Sequence, residues 1–111
     1  MKSLKLILLF VVLSFSNYIS AQMLTQTIRG NIYDEDGKFP LIGANVIILG
    51  SNPIKGAVTN VDGEFRFDDI PVGRVNLLVR YLGYEEKTIS NVLVSTGKEV
   101  ILNVELKESI V

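Results

Sequence analysis

Few side chains in this sequence could carry out catalysis. The chain contains no His and no Cys, so the commonest general base and the thiol nucleophile are both absent. Paired carboxylates, which can hydrolyse glycosidic bonds, occur at Asp34 with Asp36 and at Asp68 with Asp69. Both pairs lie in turn-like sequence, where acids are common because they accept hydrogen bonds from nearby backbone N–H groups. Neither pair therefore indicates a glycosidase.

Serine is the remaining candidate nucleophile. Its hydroxyl needs an adjacent base to activate it. None of the serines beyond residue 22 has a Lys or an acid at an informative spacing, and all lie in turn-like or terminal sequence: Ser51, Ser90, Ser95 and Ser109. We predict no catalytic residues, and we do not expect this chain to be an enzyme.

Residues 34–37, with the sequence Asp-Glu-Asp-Gly, look like the start of a calcium-binding loop. Such a loop needs oxygen ligands at alternate positions and a bidentate Glu at its end. Lys38, Phe39 and Pro40 interrupt that series, so we interpret the acids as solvated turn residues. The sequence predicts no metal site and no cofactor site.

Residues 1–21 have the form of a secretory signal peptide. Lys2 and Lys5 give a positive start, residues 6–13 are continuously apolar, and Ala21 is the small residue that a signal peptidase requires. The apolar run is about half of the ~20 residues that a membrane-spanning helix needs. Cleavage before Gln22 is therefore favoured over an uncleaved membrane anchor, and no Cys near the cut could carry a lipid. The sequence predicts export to the cell envelope.

After that cut, nine Lys and Arg remain against twelve Asp and Glu, a net charge of −3. A nucleic-acid-binding domain needs a basic face, and a polybasic membrane-surface binder needs clustered Lys and Arg. The sequence predicts neither, and it predicts no transmembrane segment in the mature chain. Because the chain has no Cys, packing and strand pairing must stabilise this small domain in place of disulfides.

Alternating apolar and polar residues predict β-strands through the rest of the chain. In the first, Ile28, Gly30 and Ile32 share one face, and Phe65 and Phe67 are the expected aromatic core pair. The strand at 44–49 is apolar on both faces and is expected to be central, whereas that at 86–89 is expected at an edge. Seven strands are predicted, at residues 26–34, 44–49, 57–59, 64–67, 75–81, 86–89 and 100–107.

Seven short strands at about ten-residue spacing predict an all-β, seven-stranded Greek-key β-sandwich, with an up-and-down barrel as the alternative. The uneven connections at 38–43 and 91–97 favour the sandwich. Asp62-Gly63, between Val58 and Phe65, predicts a two-residue hairpin.

Several segments form a combined signature. Its main parts are Pro-Leu-Ile-Gly-Ala-Asn-Val at 40–46, Thr-x-x-x-Gly-x-Phe at 59–65 and Tyr-Leu-Gly-Tyr at 81–84, with supporting residues at 30–37 and 70–73. Together they strongly resemble the carboxypeptidase regulatory-like domain, also described as carboxypeptidase D-like. The resemblance implies a prealbumin- or transthyretin-like sandwich over residues 27–107, with an extension at 22–26 and a tail at 108–111. The mild departures are one extra residue before Pro40 and an Asn at position 60 where Asp is usual.

In Bacteroidetes, domains similar to this one stand at the N-terminus of TonB-dependent outer-membrane receptors of the starch-utilisation type, ahead of the plug and barrel. The resemblance therefore implies a non-catalytic accessory domain, truncated or stand-alone, in the periplasm or at the outer membrane. Its expected partner is an envelope protein, such as a receptor plug or barrel or a component of the TonB system. The alternatives are a free-standing periplasmic or cell-surface module that binds protein or carbohydrate, and a regulatory lobe whose catalytic activity belongs to a partner chain.

Other binding features are weaker. Tyr33 is predicted to face solvent, while Tyr81 and Tyr84 are predicted to pack on the core, and the chain has no Trp, so carbohydrate binding has no positive support from the sequence. Asn103 stands where some extracellular sandwiches form a Lys–Asn isopeptide bond, but the first strand carries Arg29 and no Lys.

Charged residues at 85–87 fall on the predicted edge strand. Charge on an edge strand discourages association between sheets, so this segment predicts an edge that does not pair with another chain.

Overall fold

The computed structural model describes residues 2–15 and 23–110, with side chains described for 2–11 and 23–110. Helix α1 spans Lys2–Phe15, and its described side chains are exposed. Within the described ranges, no helix has both the length and the apolar character needed to cross a membrane. The predicted cleavage point after Ala21 lies outside the described residues and stays a prediction.

Seven strands follow among the described residues: β1 Thr25–Asp34, β2 Asn45–Leu49, β3 Lys55–Val58, β4 Glu64–Pro71, β5 Gly73–Arg80, β6 Lys87–Val94 and β7 Val100–Leu106. They form two sheets. Sheet I has the order β4-β1-β7 and sheet II the order β3-β2-β5-β6. The predicted seven-stranded sandwich is thus confirmed, since neither sheet closes into a barrel.

The direction of the strands gives the sandwich two distinct ends. β1 runs parallel to β7 and antiparallel to β4, so the chain enters the sheet at one end and leaves at the other. The amino end, where β1 and β7 begin, carries residues 23–24, 50–54, 71–73 and 95–99. The carboxyl end, where β1 and β7 finish, carries residues 34–44, 59–63, 81–86 and 107–110.

The core lies between the two sheets, and the predicted alternation along the strands places its residues. Ile28 and Ile32 of β1 are fully buried, as are Leu77 and Val79 of β5. Phe65 and Phe67 pack edge to face with ring centroids 6.2 Å apart, which confirms the predicted aromatic pair. β2 lies inside sheet II and β6 at its edge, as predicted.

Position 30 requires Gly because β1 and β7 approach each other closely there, and not because of an unusual backbone angle. It lies opposite Leu102 in the parallel register, and a Cβ at this position would collide with the Leu102 carbonyl oxygen. A side chain of any kind would therefore push the two strands apart.

The predicted hairpin at Asp62-Gly63 is wrong. β3 and β4, which flank this turn, belong to different sheets. Backbone hydrogen bonds attach each strand to its own sheet. The Thr59 N–H donates to the Ala44 carbonyl at 2.9 Å, which holds the end of β3 on sheet II, and the Gly63 carbonyl accepts from the Ile32 N–H at 2.8 Å, which holds β4 on sheet I. The turn therefore passes between the layers.

The predicted loop at 91–97 is also wrong in its first half. β6 continues to Val94, and both Val92 and Val94 are buried. Asn91 has a positive φ of 58°, and its N–H donates to the Asn76 side chain at 2.9 Å, so a local irregularity interrupts the alternation without ending the strand. Only Lys87 of the three predicted edge charges lies within β6; residues 85–86 precede it.

Candidate functional site

The signature segments that stand apart in the sequence meet at the carboxyl end of the sandwich. Residues 40–46 lead into β2, residues 59–63 join β3 to β4, and residues 81–84 follow β5. Hydrogen bonds from each of these segments reach either the end of β1 or the segment that follows β7. The site is therefore assembled from four separate parts of the chain.

The first contact is made by Thr59, which is only 4% exposed. Its hydroxyl accepts a hydrogen bond from the Ala44 N–H at 2.8 Å and donates to the Leu41 carbonyl at 2.6 Å. Both are backbone groups that no regular strand pairing satisfies, and a buried backbone group without a partner is costly. The signature threonine thus stabilises the loop that leads into β2.

The second contact is the turn that begins at Asn60. The Asn60 side-chain oxygen accepts hydrogen bonds from the N–H groups of Asp62, at 3.0 Å, and Glu64, at 2.9 Å. An Asp carboxylate would accept the same two bonds, so Asn at position 60 is compatible with the turn that an Asp would form. Gly63 has φ of +74°, and a Cβ there would come within 2.7 Å of the Ile32 carbonyl oxygen, so the turn requires Gly.

The third contact joins Asp34 to Tyr84. The Tyr84 hydroxyl donates to Asp34 Oδ2 at 2.6 Å, and the N–H groups of Asp36 and Gly37 donate to Asp34 Oδ1 at 2.9 and 2.6 Å. Asp34 is only 5% exposed. The prediction that it is a solvated turn residue is therefore wrong, because three donors replace the water around its carboxylate.

This hydrogen bonding shifts the pKa values of both Asp34 and Tyr84. The Tyr84 hydroxyl, with the backbone N–H groups of Gly37 and Asp36, lowers the pKa of Asp34 below its ordinary 3.8. The Asp34 carboxylate, helped by partial burial, raises the pKa of Tyr84 to about 12. The pair is thus held as an ionised acid and a neutral phenol across the physiological range.

The same loop fixes the segment that follows β7. The Glu85 N–H donates to the Lys107 carbonyl at 2.8 Å, and the Ser109 N–H donates to the Gly83 carbonyl at 2.9 Å. The Tyr84 ring packs against that of Tyr81, with centroids 5.3 Å apart, and both rings lie against the core, as predicted. The path of the chain out of the sandwich is therefore set by residues 81–85.

The polar groups of this site are already occupied by one another. Among residues 2–11 and 23–110 no buried side-chain N or O atom lacks a hydrogen-bond partner. In the part of the chain that the structure describes, no three His, Cys, Asp or Glu side chains converge as metal ligands would. The arrangement holds loops in place and offers no activated nucleophile.

The other sequence candidates are placed separately. Asp68 pairs with Arg66 at 2.9 Å and accepts from the Thr27 hydroxyl at 3.2 Å, while the Ser51 hydroxyl donates to the Ile48 carbonyl at 2.7 Å. Asn103 lies opposite Asn31 in the register of β1 and β7.

Tyr33, predicted to face solvent, is half-buried, and its hydroxyl accepts from the Asn31 side chain at 2.8 Å. The Tyr33 backbone also forms a bridge to Pro40 at the carboxyl end. The contacts described above for that end do not include Asp68, Ser51 or Asn103.

Sequence reasoning missed one surface at this end. Leu82 is 95% exposed, although its neighbours Tyr81 and Tyr84 are partly buried. The Tyr84 N–H donates to the Tyr81 carbonyl at 3.1 Å, so Leu82 stands on the tip of a closed turn. An apolar residue inside a Gly-containing turn was the only signal in the sequence.

Comparison with known families agrees with this geometry. The sequence model of the CarboxypepD_reg-like domain matches residues 28–111. This chain belongs to that family. Domains of the carboxypeptidase regulatory-like family are non-catalytic β-sandwiches, which fits a carboxyl end whose signature residues are structural. A comparison with curated proteins found no significant match.

Solved structures with a similar fold come from binding and structural proteins. A chain of the type II cohesin–X-dockerin complex from Acetivibrio cellulolyticus is 26% identical, with a TM-score of 0.60 over 71% of this chain and 52% of that chain. A candidate carbohydrate-binding protein from Bacteroides uniformis is 12% identical, with a TM-score of 0.61 over 75% and 41%. The minor pilin GBS52 of Streptococcus agalactiae is 17% identical, with a TM-score of 0.57 over 80% and 47%.

This chain therefore spans about half, or less, of the length of each of those solved chains. The two comparisons below 25% identity show the shared fold alone.

Proposed function

We propose that this chain is an exported, non-catalytic accessory domain of a TonB-dependent outer-membrane nutrient receptor. The observation that carries the proposal is the family match over residues 28–111, on a sandwich whose signature residues converge to fix the segment that follows β7. A domain that controls how the chain leaves it is suited to positioning whatever lies beyond. The positive start and apolar helix at Lys2–Phe15 support export.

The strand directions also support a positioning role. Because β1 and β7 are parallel, the segment before the domain and the segment after it lie at opposite ends. Hydrogen bonds to residues 107 and 109 give the outgoing segment a defined direction. An accessory domain between a free N-terminus and a receptor plug would use both properties.

The test is fractionation of the source cells with an antibody raised against residues 23–110, reading both the compartment and the size of the reactive band. Inner-membrane and cytoplasmic marker proteins serve as controls. The proposal expects the band in the outer membrane, either at the size of a receptor or as a small chain that copurifies with one. A cytoplasmic band would overturn it.

Export is tested separately with an Ala21→Leu variant, which removes the small residue that signal peptidase requires. This variant should retain its first 21 residues, whereas Asn17→Gln should still be processed to a chain that begins at Gln22. Equal processing of both variants would contradict cleavage after Ala21.

A second candidate function is a free-standing envelope module that binds protein or carbohydrate. The similarity to a chain of a cohesin–dockerin complex and to a candidate carbohydrate-binding protein favours it. A small periplasmic band that begins at Gln22, with no receptor attached, would support this function in place of the first.

A further inference from the structure

One end of the sandwich carries exposed apolar residues among acids, and the other carries a groove flanked by Lys55 and Arg74. We propose that copies of this chain associate head to tail, with the carboxyl end of one copy seated in a groove at the amino end of the next. This inference does not depend on either proposed function, because it rests only on the surfaces of residues 23–110.

The projecting surface lies at the carboxyl end. Leu82 and Ile110 are each 95% exposed, and Ile42 is about half exposed. The hydrogen bond from Ser109 N–H to the Gly83 carbonyl places the first two close together. A fully exposed Leu on a closed turn contributes nothing to the core, so its apolar surface is available for a partner.

The surroundings of this projection are acidic. The segments that form the carboxyl end contain seven Asp and Glu but only two Lys. Glu85 directly follows the Leu82 turn, and Glu108 pairs with the same turn through a bridge to Tyr84. A partner surface for this end must therefore combine an apolar recess with positive charge.

The receiving surface lies at the amino end. A groove of about 400 Å³ runs between the loop after β2 and the turn from β4 to β5. Its apolar walls include Leu49 and Val72, and the side chains of Lys55 and Arg74 flank it. Among the described residues that line this groove there is no carboxylate. The acids of β4 at 68–69 lie outside it.

Neither cation of the groove is paired with an acid in the part of the chain that the structure describes. The ion pairs among the described residues use Arg29, Lys38, Arg66 and Arg80. Lys55 has no such pair, and Arg74 reaches only the Asn91 carbonyl, at 3.5 Å. Their charge is thus free to meet an external carboxylate, such as Glu85 or Glu108 of a second copy.

The symmetry of this contact determines the assembly. Each copy offers a projection at one end and a groove at the other, so the contact is heterologous and repeats from copy to copy as an open chain. The contact is small compared with a stable dimer interface, so the association should be weak, reversible and sensitive to salt.

The absence of Cys from the chain allows a direct test by disulfide cross-linking. The full chain carrying both Leu82→Cys and Val72→Cys is produced in the source cells, recovered from them and treated with a mild oxidant. Positions 82 and 72 lie at opposite ends and cannot join within one copy. We expect a ladder of dimers, trimers and longer species on a denaturing gel.

Three controls separate this contact from general stickiness. Each single-Cys variant should stop at dimers. The pair Val58→Cys with Ile101→Cys, at exposed positions on the sheet faces, should give no ladder. Adding Arg29→Glu, which lies outside both surfaces, should leave the 82–72 ladder unchanged.

Charge reversal tests the proposed complementarity. Lys55→Glu with Arg74→Glu should reduce the ladder about tenfold, and adding Glu85→Lys with Glu108→Lys should restore most of it. If the variant with Leu82→Cys and Val72→Cys gives only monomers after oxidation, the proposal is overturned. A ladder that charge reversal leaves unchanged would also overturn it, because that result would show a contact through other surfaces.

Discussion

The two ends of this sandwich are built differently. At the carboxyl end, buried polar side chains hold the loops: Thr59 bonds to two backbone groups, and Asp34 accepts three hydrogen bonds. At the amino end the side-chain contacts that hold the loops are exposed, as that of Gln26 with the Ser95 carbonyl at 3.0 Å, or only partly buried, as that of Ser51 with the Ile48 carbonyl at 2.7 Å. The three main parts of the family signature lie at the first kind of end, whereas its supporting residues 70–73 lie at the amino end.

The difference explains what the signature encodes. A buried polar group without its partner costs far more than an exposed one, because water cannot replace the lost hydrogen bond. Substitution of the buried polar side chains at the carboxyl end is therefore expected to cost more stability than substitution of the exposed polar side chains at the amino end. Four predictions test this contrast.

The largest effect is expected from removing the Thr59 hydroxyl. Thr59→Val keeps the shape of the side chain but leaves the Ala44 N–H and the Leu41 carbonyl without that partner. We expect a loss of about 3 kcal/mol in the free energy of unfolding, measured with urea. Thr27→Val, which removes only an exposed contact with Asp68, should change stability by less than about 0.5 kcal/mol. Equal losses would remove the contrast between the ends.

A pair of glycines with the same backbone angle gives the next test. Gly63 and Gly50 have φ of +74° and +76°, but only Gly63 has atoms where a Cβ would stand. Gly50→Ala should cost about 1 kcal/mol from backbone strain alone. Gly63→Ala should cost about 2–3 kcal/mol because the turn must also move away from the Ile32 carbonyl. Thermal or urea unfolding of both variants measures these losses of stability. Equal losses in the two variants would count against the close packing of the turn at Gly63.

The contact between Asp34 and Tyr84 should appear as a pH-dependent part of stability. The pKa of Tyr84 rises from 10.0 to about 12 on folding, so its contribution is complete below pH 10 and disappears as the pH approaches 12. The pKa of Asp34 falls below 3.8, so its contribution is present above that pH and is lost in stronger acid.

Tyr84→Phe removes this contact and keeps the ring. The stability difference between the two proteins, measured by urea unfolding across this range, should therefore be constant in the middle and shrink at both extremes. A difference that stays the same up to pH 12 would show that the hydroxyl bond contributes nothing. Hydrogen exchange at the Glu85 and Ser109 amides should also be faster in Tyr84→Phe.

The smallest effect is expected from the exposed ion pairs, wherever they lie. The pair between Arg29 and Glu99, 2.9 Å apart, has side chains that are 43% and 42% exposed. Glu99→Gln should change the free energy of unfolding by at most about 1 kcal/mol, and salt should reduce even that effect. Glu86→Gln, which breaks the pair with Arg80 at the carboxyl end, should behave alike. A large loss of unfolding free energy in either variant would show that surface charge contributes to the difference between the two ends.

Much of the fold could be predicted from the sequence because strand formation is a local property. Alternation along β1, β5 and β7 identified the buried faces, and the apolar character of β2 and the weakness of β6 indicated which strand was central and which was at an edge. The resemblance of the signature segments to a known family was sufficient to predict the family. Turn chemistry was less reliable, since Asp62-Gly63 fits a hairpin as well as a crossing between sheets.

What the sequence by itself determined is therefore the set of strands and their inward faces, which follow from side-chain type and a period of two, and the family, which follows from the resemblance of the signature segments. Only the tertiary structure decided that Asp34 is buried against Tyr84, because the two are 50 residues apart in the chain. Only the tertiary structure decided that β3 and β4 separate into different sheets, and that Leu82 remains outside the core. These outcomes depend on distant segments competing for the same hydrogen bonds and the same buried space, and no local pattern records that competition.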